Sequence, residues 1–296
     1  MTVEARASLV KTGGRSYGVA LVAGATVLWS TAGVYVRLLD LDLWTVQAWR
    51  SLFAALSLLV LLAADRGFGT PRAFRSIGWK GLAAVPVSAA SMLCYVTALR
   101  LTTVANVMVV YATVPFVAAG VAYLWLGERI ERRVLVASAV ALAGIVVMAG
   151  SATEPDDIAG GAVSLLMTVT FSVLLVMVRR YPGLPMTPIN ALGAALCALI
   201  SWTLMPSGMP GVSDLVILAI FGATTTGLAY LLYLTGARHI PSSEAALIGL
   251  LDVVLGPFWV WIGFGEVPAT LALMGGGIVL AAVLWYLSEG LRRTHA

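Results

Sequence analysis

Charged side chains are scarce in this sequence: Asp, Glu, Lys and Arg make up 11% of its 296 residues. An ordinary soluble domain contains about 25% of such residues, so too few are present to cover a water-facing surface. Hydrophobic residues account for 60% of the chain, and the mean hydropathy is +0.97. Soluble globular, disordered, collagen-like and coiled-coil proteins are therefore excluded. The sequence predicts a protein whose main solvent is lipid.

Cysteine, histidine and lysine are also rare, with two residues of each kind. Cys94 and Cys197 lie in apolar segments, so we expect no disulfide framework. His239 stands near the end of a predicted helix and His295 near the C-terminus, and no Cys/His cluster has the spacing of a zinc site. The chain also lacks the nucleotide-binding pattern GxxxxGKS/T. We therefore expect no metal, no cofactor and no nucleotide.

Long apolar segments dominate the chain. A membrane-spanning helix needs about 20 mostly apolar residues, and ten segments satisfy this requirement. The connections between them are too short for an independent domain, which needs about 50 residues. The sequence therefore predicts an all-α polytopic membrane protein. Its ten expected transmembrane helices are 17–39, 43–64, 80–100, 104–126, 133–150, 157–179, 186–204, 212–237, 243–265 and 268–289.

The basic residues predict the topology of these helices. If the N-terminus is cytoplasmic, fifteen of the eighteen Lys and Arg residues flank cytoplasmic helix ends. Arg37 and Arg100 flank outer ends, and Arg50 lies within the second helix. Because cytoplasmic loops carry an excess of basic residues, we expect both termini to be cytoplasmic. The net charge of +4 is dispersed over these loops, so we expect no nucleic-acid partner.

The two halves of the sequence resemble each other. Five helices in each half is an odd number, so the halves are expected to enter the membrane from opposite sides. Inverted repeats of this kind recur in secondary transporters, where a central site opens to alternate sides. With offsets of 138 or 142 residues, the matches are YVTALR (95–100) with YLTGAR (233–238), Gly127-Glu128 with Gly265-Glu266, Ser30 with Ser172 and Arg37 with Arg179.

The repeat predicts how the chain is divided. We expect two five-helix repeats joined by a short linker and flanked by two short cytoplasmic segments. These units are a cytoplasmic arm at 1–16, the first repeat at 17–150, an outer linker at 151–156, the second repeat at 157–289 and a cytoplasmic tail at 290–296.

Two segments resemble a family signature. ANVMVVYATVPFVAAGVAYLWLGE at 105–128 and SSEAALIGLLDVVLGPFWVWIGFGE at 242–266 are similar to the EamA-type transporters of the drug/metabolite transporter superfamily. LWSTAG at 28–33 resembles the first helix of that family, including its amino-acid exporters of the YddG type. The resemblance implies ten helices and export of small metabolites, often amino acids, across a plasma membrane, which in bacteria is the inner membrane. The proline of the signature, Pro115, is replaced in the second half by Val253.

Polar and aromatic side chains at membrane depth are the candidate site residues. Asp252 lies near the middle of a span, where an ionised group costs about 3 kcal/mol on insertion scales. We interpret it as a ligand of a substrate amine, as a proton carrier, or as a static partner of Arg50 or of hydroxyl groups. Trp29, beside Ser30, either lines a cavity or packs between helices. The other candidates, which bind substrate or pack locally, are Tyr95, Tyr111, Phe171 and Tyr233.

Two prolines are expected to break helices at matching depths. Pro115 and Pro257 each lie inside an apolar segment, and proline removes a helical hydrogen bond. Broken helices supply backbone groups to binding sites near the membrane midplane. A passive kink is the alternative interpretation. We therefore expect the site between the two repeats, near these breaks.

The residues at membrane depth favour a secondary transporter over an enzyme. A serine protease needs a base near its nucleophile, yet neither histidine lies within a predicted span. An aspartyl protease needs two carboxylates, and Asp252 is alone at that depth. We expect transport of amino acids, aromatic ones included, with drugs, cations or nucleosides as alternatives. A channel or an intramembrane enzyme is a further alternative, and the expected partners are the small-molecule substrate and the lipid bilayer.

Overall fold

A computed structural model describes residues 3–67, 70–127, 132–150, 155–181, 183–206, 208–237, 239–240, 245 and 248–294. This part of the chain is helical and contains no strand. Its helices are α1 (Val3–Ser30), α2 (Ala32–Leu38), α3 (Leu43–Arg66), α4 (Thr70–Arg75), α5 (Gly78–Leu101), α6 (Val104–Tyr111), α7 (Val114–Leu126), α8 (Arg132–Ala149), α9 (Pro155–Arg180), α10 (Met186–Leu204), α11 (Val212–Gly222), a π-helical segment (Ala223–Leu228), α12 (Ala229–Gly236), α13 (Leu251–Phe264) and α14 (Thr270–Thr294).

Six helical segments are long and apolar enough to cross a membrane, and a seventh is obtained if the bent pair α6–α7 counts as one span. Side chains such as Leu124 and Ile262 are exposed, as expected of a surface that faces lipid. The prediction of a polytopic all-α membrane protein is confirmed, and the number of ten crossings stays a prediction. The six segments are Gly14–Leu38, Leu43–Asp65, Gly78–Leu101, Pro155–Arg180, Met186–Leu204 and Val212–Gly236.

Local sequence explains where several helices begin and end. The Asp42 carboxylate accepts the backbone N–H groups of Trp44 and Thr45 at 2.9 and 3.0 Å, which caps α3. At their other ends, α7 and α13 finish at Gly127 and Gly265, with φ of +70° and +67°. Glycine adopts this left-handed conformation without steric cost and closes the helix. The two glycines stand 138 residues apart, at matching positions of the sequence repeat.

Breaks interrupt several of the predicted spans. The first span is divided between α1 and α2 at Thr31, whose N–H bonds the Leu28 carbonyl at 3.3 Å. The fourth span bends by 41° between α6 and α7. Pro115 lies in the first turn of α7, where its missing N–H costs no hydrogen bond. The eighth span contains the π-helical segment.

The break predicted at Pro257 needs correction. α13 runs without interruption from Leu251 to Phe264 and holds Pro257 in its interior. The proline removes one helical bond, whereas ending the helix in lipid would leave several backbone groups unpaired. The helix instead begins at Leu251, 138 residues after Thr113 at the α6–α7 break. The position of the break thus follows the repeat and not the proline.

Helices of one half pack mainly against helices of the other half. α3 packs on α10, α8 on α14 and α6 on α13, and each pair joins corresponding members of the two halves. α5 packs on α9 and α10, and the corresponding contacts of α12 with α1 and of α11 with α3 are also present. The pattern of contacts is therefore preserved when the halves are exchanged. The buried core lies between the halves and includes Val46, Leu99, Met108 and Phe221.

The crossing of α8 and α14 generates a prediction about stability. A methyl group added at Gly275 would meet the Gly144 carbonyl oxygen, and would lie 2.8 Å from the Met148 backbone nitrogen. Nothing lies within 4 Å of the corresponding position at Gly277 on the same helix. We expect Gly275→Ala to destabilise the fold by about 1–3 kcal/mol, as overpacking does. Gly277→Ala is the matched control.

Thermal unfolding in detergent measures both variants. Each gains the same helix propensity, about 1 kcal/mol in favour of alanine, so their difference isolates the close contact. A lower melting temperature for Gly275→Ala alone is expected. Equal melting temperatures would show that the two helices do not cross at this position.

Candidate functional site

The aromatic candidates form ring pairs that join the two halves. Trp29 at the end of α1 lies against Tyr233 of α12, with ring centroids 5.2 Å apart. Tyr111 at the end of α6 lies against Phe171 of α9, with centroids 5.8 Å apart. All four side chains are only partly buried, although each contacts another ring. These rings therefore line a region between the halves, close to two of the helix breaks.

Asp252 lies in the first turn of α13, beside these rings. Its side chain is 7% exposed, and its Oδ1 atom has no hydrogen-bond partner among the described residues. The hydroxyl groups of Tyr95 and Tyr111 are both within electrostatic range of its carboxylate, and Tyr111 is within range of Tyr233. The structure thus links Asp252 and Tyr95 to the aromatic pairs.

Ser30 connects the first helix to α13. Its Oγ donates to the Val27 carbonyl at 2.7 Å and accepts the Trp259 Nε1–H at 2.9 Å. Sequence reasoning did not identify Trp259, because this indole lies in a run of apolar residues and its polar partner is 229 residues away. Ser172, which matches Ser30 in the repeat, donates to the Val114 carbonyl at 3.4 Å, at the start of α7. Each serine therefore contacts the broken span of the opposite half.

Arg50 is the nearest buried cation to this region. It is 5% exposed, and its Cζ lies 4.8 Å from the centroid of the Phe221 ring. The Tyr95 hydroxyl is within its electrostatic range, and its Nε has no hydrogen-bond partner among the described residues. No ion pair joins Arg50 to Asp252, so the static pair that the sequence allowed is not formed in this structure.

A second polar cluster ties the halves together at one end of the molecule. Arg37 at the end of α2 donates to Glu266 through Nε, at 2.7 Å. The same guanidinium donates to the carbonyl oxygens of Leu99 and Thr102, at 2.6 and 3.1 Å. We call this cluster the end network. It fixes α2 to the end of α5 and to the residue that follows the α13 cap.

Two further contacts extend the end network. The second carboxylate oxygen of Glu266 accepts the Val104 N–H at 2.9 Å, at the start of α6. The Thr102 hydroxyl donates to Asp157 at 2.8 Å, in the first turn of α9. The network therefore joins five helices from both halves at a single end.

Comparison with known proteins agrees with this architecture. The sequence model of the EamA-like transporter family matches the chain twice, over residues 16–150 and 158–288. The chain belongs to the EamA-like transporter family. Membership implies a small-molecule transporter, which is consistent with a protein that is not an enzyme. Within the described residues, no group of three or more His, Cys, Asp or Glu side chains is placed to hold a metal ion.

Two relatives agree with the assignment. An uncharacterized transporter of Archaeoglobus fulgidus is 27% identical over 269 residues, which cover 90% of this chain and 95% of the relative. A protein of known crystal structure has the same fold, with a TM-score of 0.64 and 20% identity. That alignment covers 91% of this chain and 96% of the other.

Removal of a ring from each aromatic pair tests the site. We expect Trp29→Ala and Tyr111→Ala to lower transport efficiency in proteoliposomes by about two- to tenfold, the worth of one aromatic contact. Trp79→Ala and Tyr123→Ala remove rings that are 74% and 52% exposed, and they serve as controls. Size-exclusion profiles establish that the variants fold. Full activity in both site variants would move the binding site elsewhere.

Proposed function

We propose that this EamA family member is a secondary transporter that exports amino acids, aromatic ones included, by alternating access. It crosses the membrane ten times as two inverted five-helix repeats, with both termini in the cytoplasm. In a bacterium this membrane is the inner membrane. The substrate site lies near the midplane, between Trp29, Ser30, Tyr95 and Tyr111 of the first repeat and their second-repeat neighbours, which are Phe171, Tyr233 and Asp252.

The observation that carries this proposal is the exchangeable packing of the two halves. Contacts such as α5 with α9 have a counterpart, α1 with α12, in the other half. The family model also matches once in each half. A chain with two equivalent packing arrangements can reach two conformations of similar energy by exchanging the roles of its halves, which is the requirement of alternating access.

Helix ends that the predicted topology assigns to one side of the membrane lie together in the fold. The end network unites Arg37, Thr102 and Asp157, all of which belong to predicted outer ends. At the opposite ends of their helices, Lys80 of α5 lies over the Tyr181 ring, 4.4 Å from its centroid. We infer that the described conformation is closed on the outer side by the end network.

The repeat predicts a related pair at the inner side. Arg37 aligns with Arg179, and Glu266 aligns with Glu128, which is outside the described residues. Exchange of the halves would therefore convert the Arg37–Glu266 contact into an Arg179–Glu128 contact. Such a pair of alternating ion pairs gives each closed end a similar stabilisation.

The rings and the carboxylate support amino acids as substrates. Partly buried aromatic rings suit apolar or aromatic side chains, and Asp252 supplies a charge for an ammonium group. Drugs, other cations and nucleosides are the alternative cargo. A channel would conduct without saturation, and an intramembrane enzyme would convert its substrate.

An exchange assay in proteoliposomes tests the proposal. Vesicles loaded with one unlabelled amino acid take up its labelled form, across a panel that includes phenylalanine, tryptophan and leucine. We expect saturable counterflow of amino acids and competition by aromatic members. The same panel with and without a pH gradient reveals proton coupling. Exchange of nucleosides or drugs without any amino acid would contradict the substrate class, and uptake that does not saturate would indicate a channel.

A further inference from the structure

Two side chains of opposite charge are buried in the helical interior without a charged partner. Asp252 is 7% exposed and Arg50 is 5% exposed. The Oδ1 atom of Asp252 and the Nε atom of Arg50 lack a hydrogen-bond partner among the described residues. A lone charge at membrane depth is costly, and such residues usually serve a substrate or ion. Both charges therefore need an explanation.

The two charges do not neutralise each other. The Arg50 guanidinium lies over the Phe221 ring, and no acidic side chain in the described ranges forms an ion pair with it. Asp252 has no basic partner in the same part of the chain. A ring face offsets part of the cost of a buried cation, but it leaves the hydrogen-bond donors of the guanidinium unsatisfied.

One hydroxyl group lies in the field of both charges. Tyr95 of α5 is within electrostatic range of Arg50 on α3 and of Asp252 on α13. Arg50 belongs to the first half of the chain and Asp252 to the second. The space around Tyr95 is therefore positive on the side of one half and negative on the side of the other, with the rings of Tyr111 and Phe171 beside it.

We propose that this space binds a zwitterion, with its ammonium group at Asp252 and its carboxylate at Arg50. The inference rests on the proposed function and narrows it to substrates that carry both charges, such as free α-amino acids. One such molecule gives each buried charge its missing partner and adds no net charge to the membrane interior. The aromatic cluster then holds the substrate side chain.

A simple cation fits the same observations less well. An amine would pair with Asp252 and leave Arg50 without an anion, and a carboxylic acid would do the reverse. A zwitterion also contacts both halves at once, because its two charged groups bind residues from different repeats. Substrate occupancy is thereby coupled to the relative position of the halves.

The test uses the full chain in detergent and three ligands with the same side chain. Phenylalanine carries both charges, phenethylamine lacks the carboxylate, and N-acetylphenylalanine lacks the ammonium group. Isothermal titration calorimetry measures the Kd of each. We expect phenylalanine to bind about tenfold or more tightly than either analogue, because each analogue leaves one buried charge unpaired.

Two variants assign the two charges. Asp252→Asn should abolish the preference for phenylalanine over N-acetylphenylalanine and keep the preference over phenethylamine. Arg50→Gln should produce the opposite pattern. Asp252→Glu and Arg50→Lys should restore the lost preference in part. Asp156→Asn and Arg72→Gln make the same changes at exposed positions and should leave all three affinities unchanged.

The outcomes separate this inference from the proposed function. If amino acids are exchanged but phenethylamine binds as tightly as phenylalanine, the zwitterion site is wrong and the exporter stands. The same conclusion follows if both variants keep the preferences of the native protein. If phenylalanine does not bind and no amino acid is exchanged, both proposals fall. Should the variants fail to fold, the order of the three ligands on the native protein decides.

Discussion

The low polarity of lipid is the constraint on which the rest of this structure depends. A backbone or side-chain polar group that enters the membrane must find its partner within the protein. Buried hydroxyl groups do so by donating to the carbonyl four residues earlier, as Thr26 and Ser164 do at 2.9 and 2.7 Å. Asp252 and Arg50 depart from this pattern, and their unsatisfied atoms are the reason that a substrate with two charges is inferred.

The same constraint explains why the helix breaks lie where they do. An interrupted helix exposes backbone groups, so a break in lipid is tolerated only where other protein groups surround it. The α1–α2 and α6–α7 breaks and the start of α13 lie next to helices of the opposite half, beside the aromatic cluster. Since the two halves contribute equivalent breaks and equivalent contacts, neither arrangement of the halves is strongly favoured by packing alone. The end network of Arg37 and Glu266 then holds one arrangement at its closed end.

Much of the fold was predictable from sequence because hydrophobic length and the repeat are linear signals. The segments predicted at 43–64 and 186–204 correspond closely to α3 and α10. The break in α13 was misplaced because proline was given more weight than the repeat, although the matching position of Thr113 already indicated Leu251. Trp259 was missed, since a contact across 229 residues has no local signature. The separation of Arg50 from Asp252 depends on how α3 and α13 pack, which depth along a helix does not determine.

The opposite orientation of the two repeats is the central claim, and site-directed thiol labelling tests it most directly. Single cysteines replace Asp156, Met209, Arg72 or Arg132 in a chain whose Cys94 and Cys197 are changed to serine, and intact cells are treated with a membrane-impermeant maleimide. The account predicts that cysteines at 156 and 209 react from outside, whereas those at 72 and 132 react only after the membrane is opened. Reaction of residues from both sets in intact cells would contradict ten crossings and the inverted repeat.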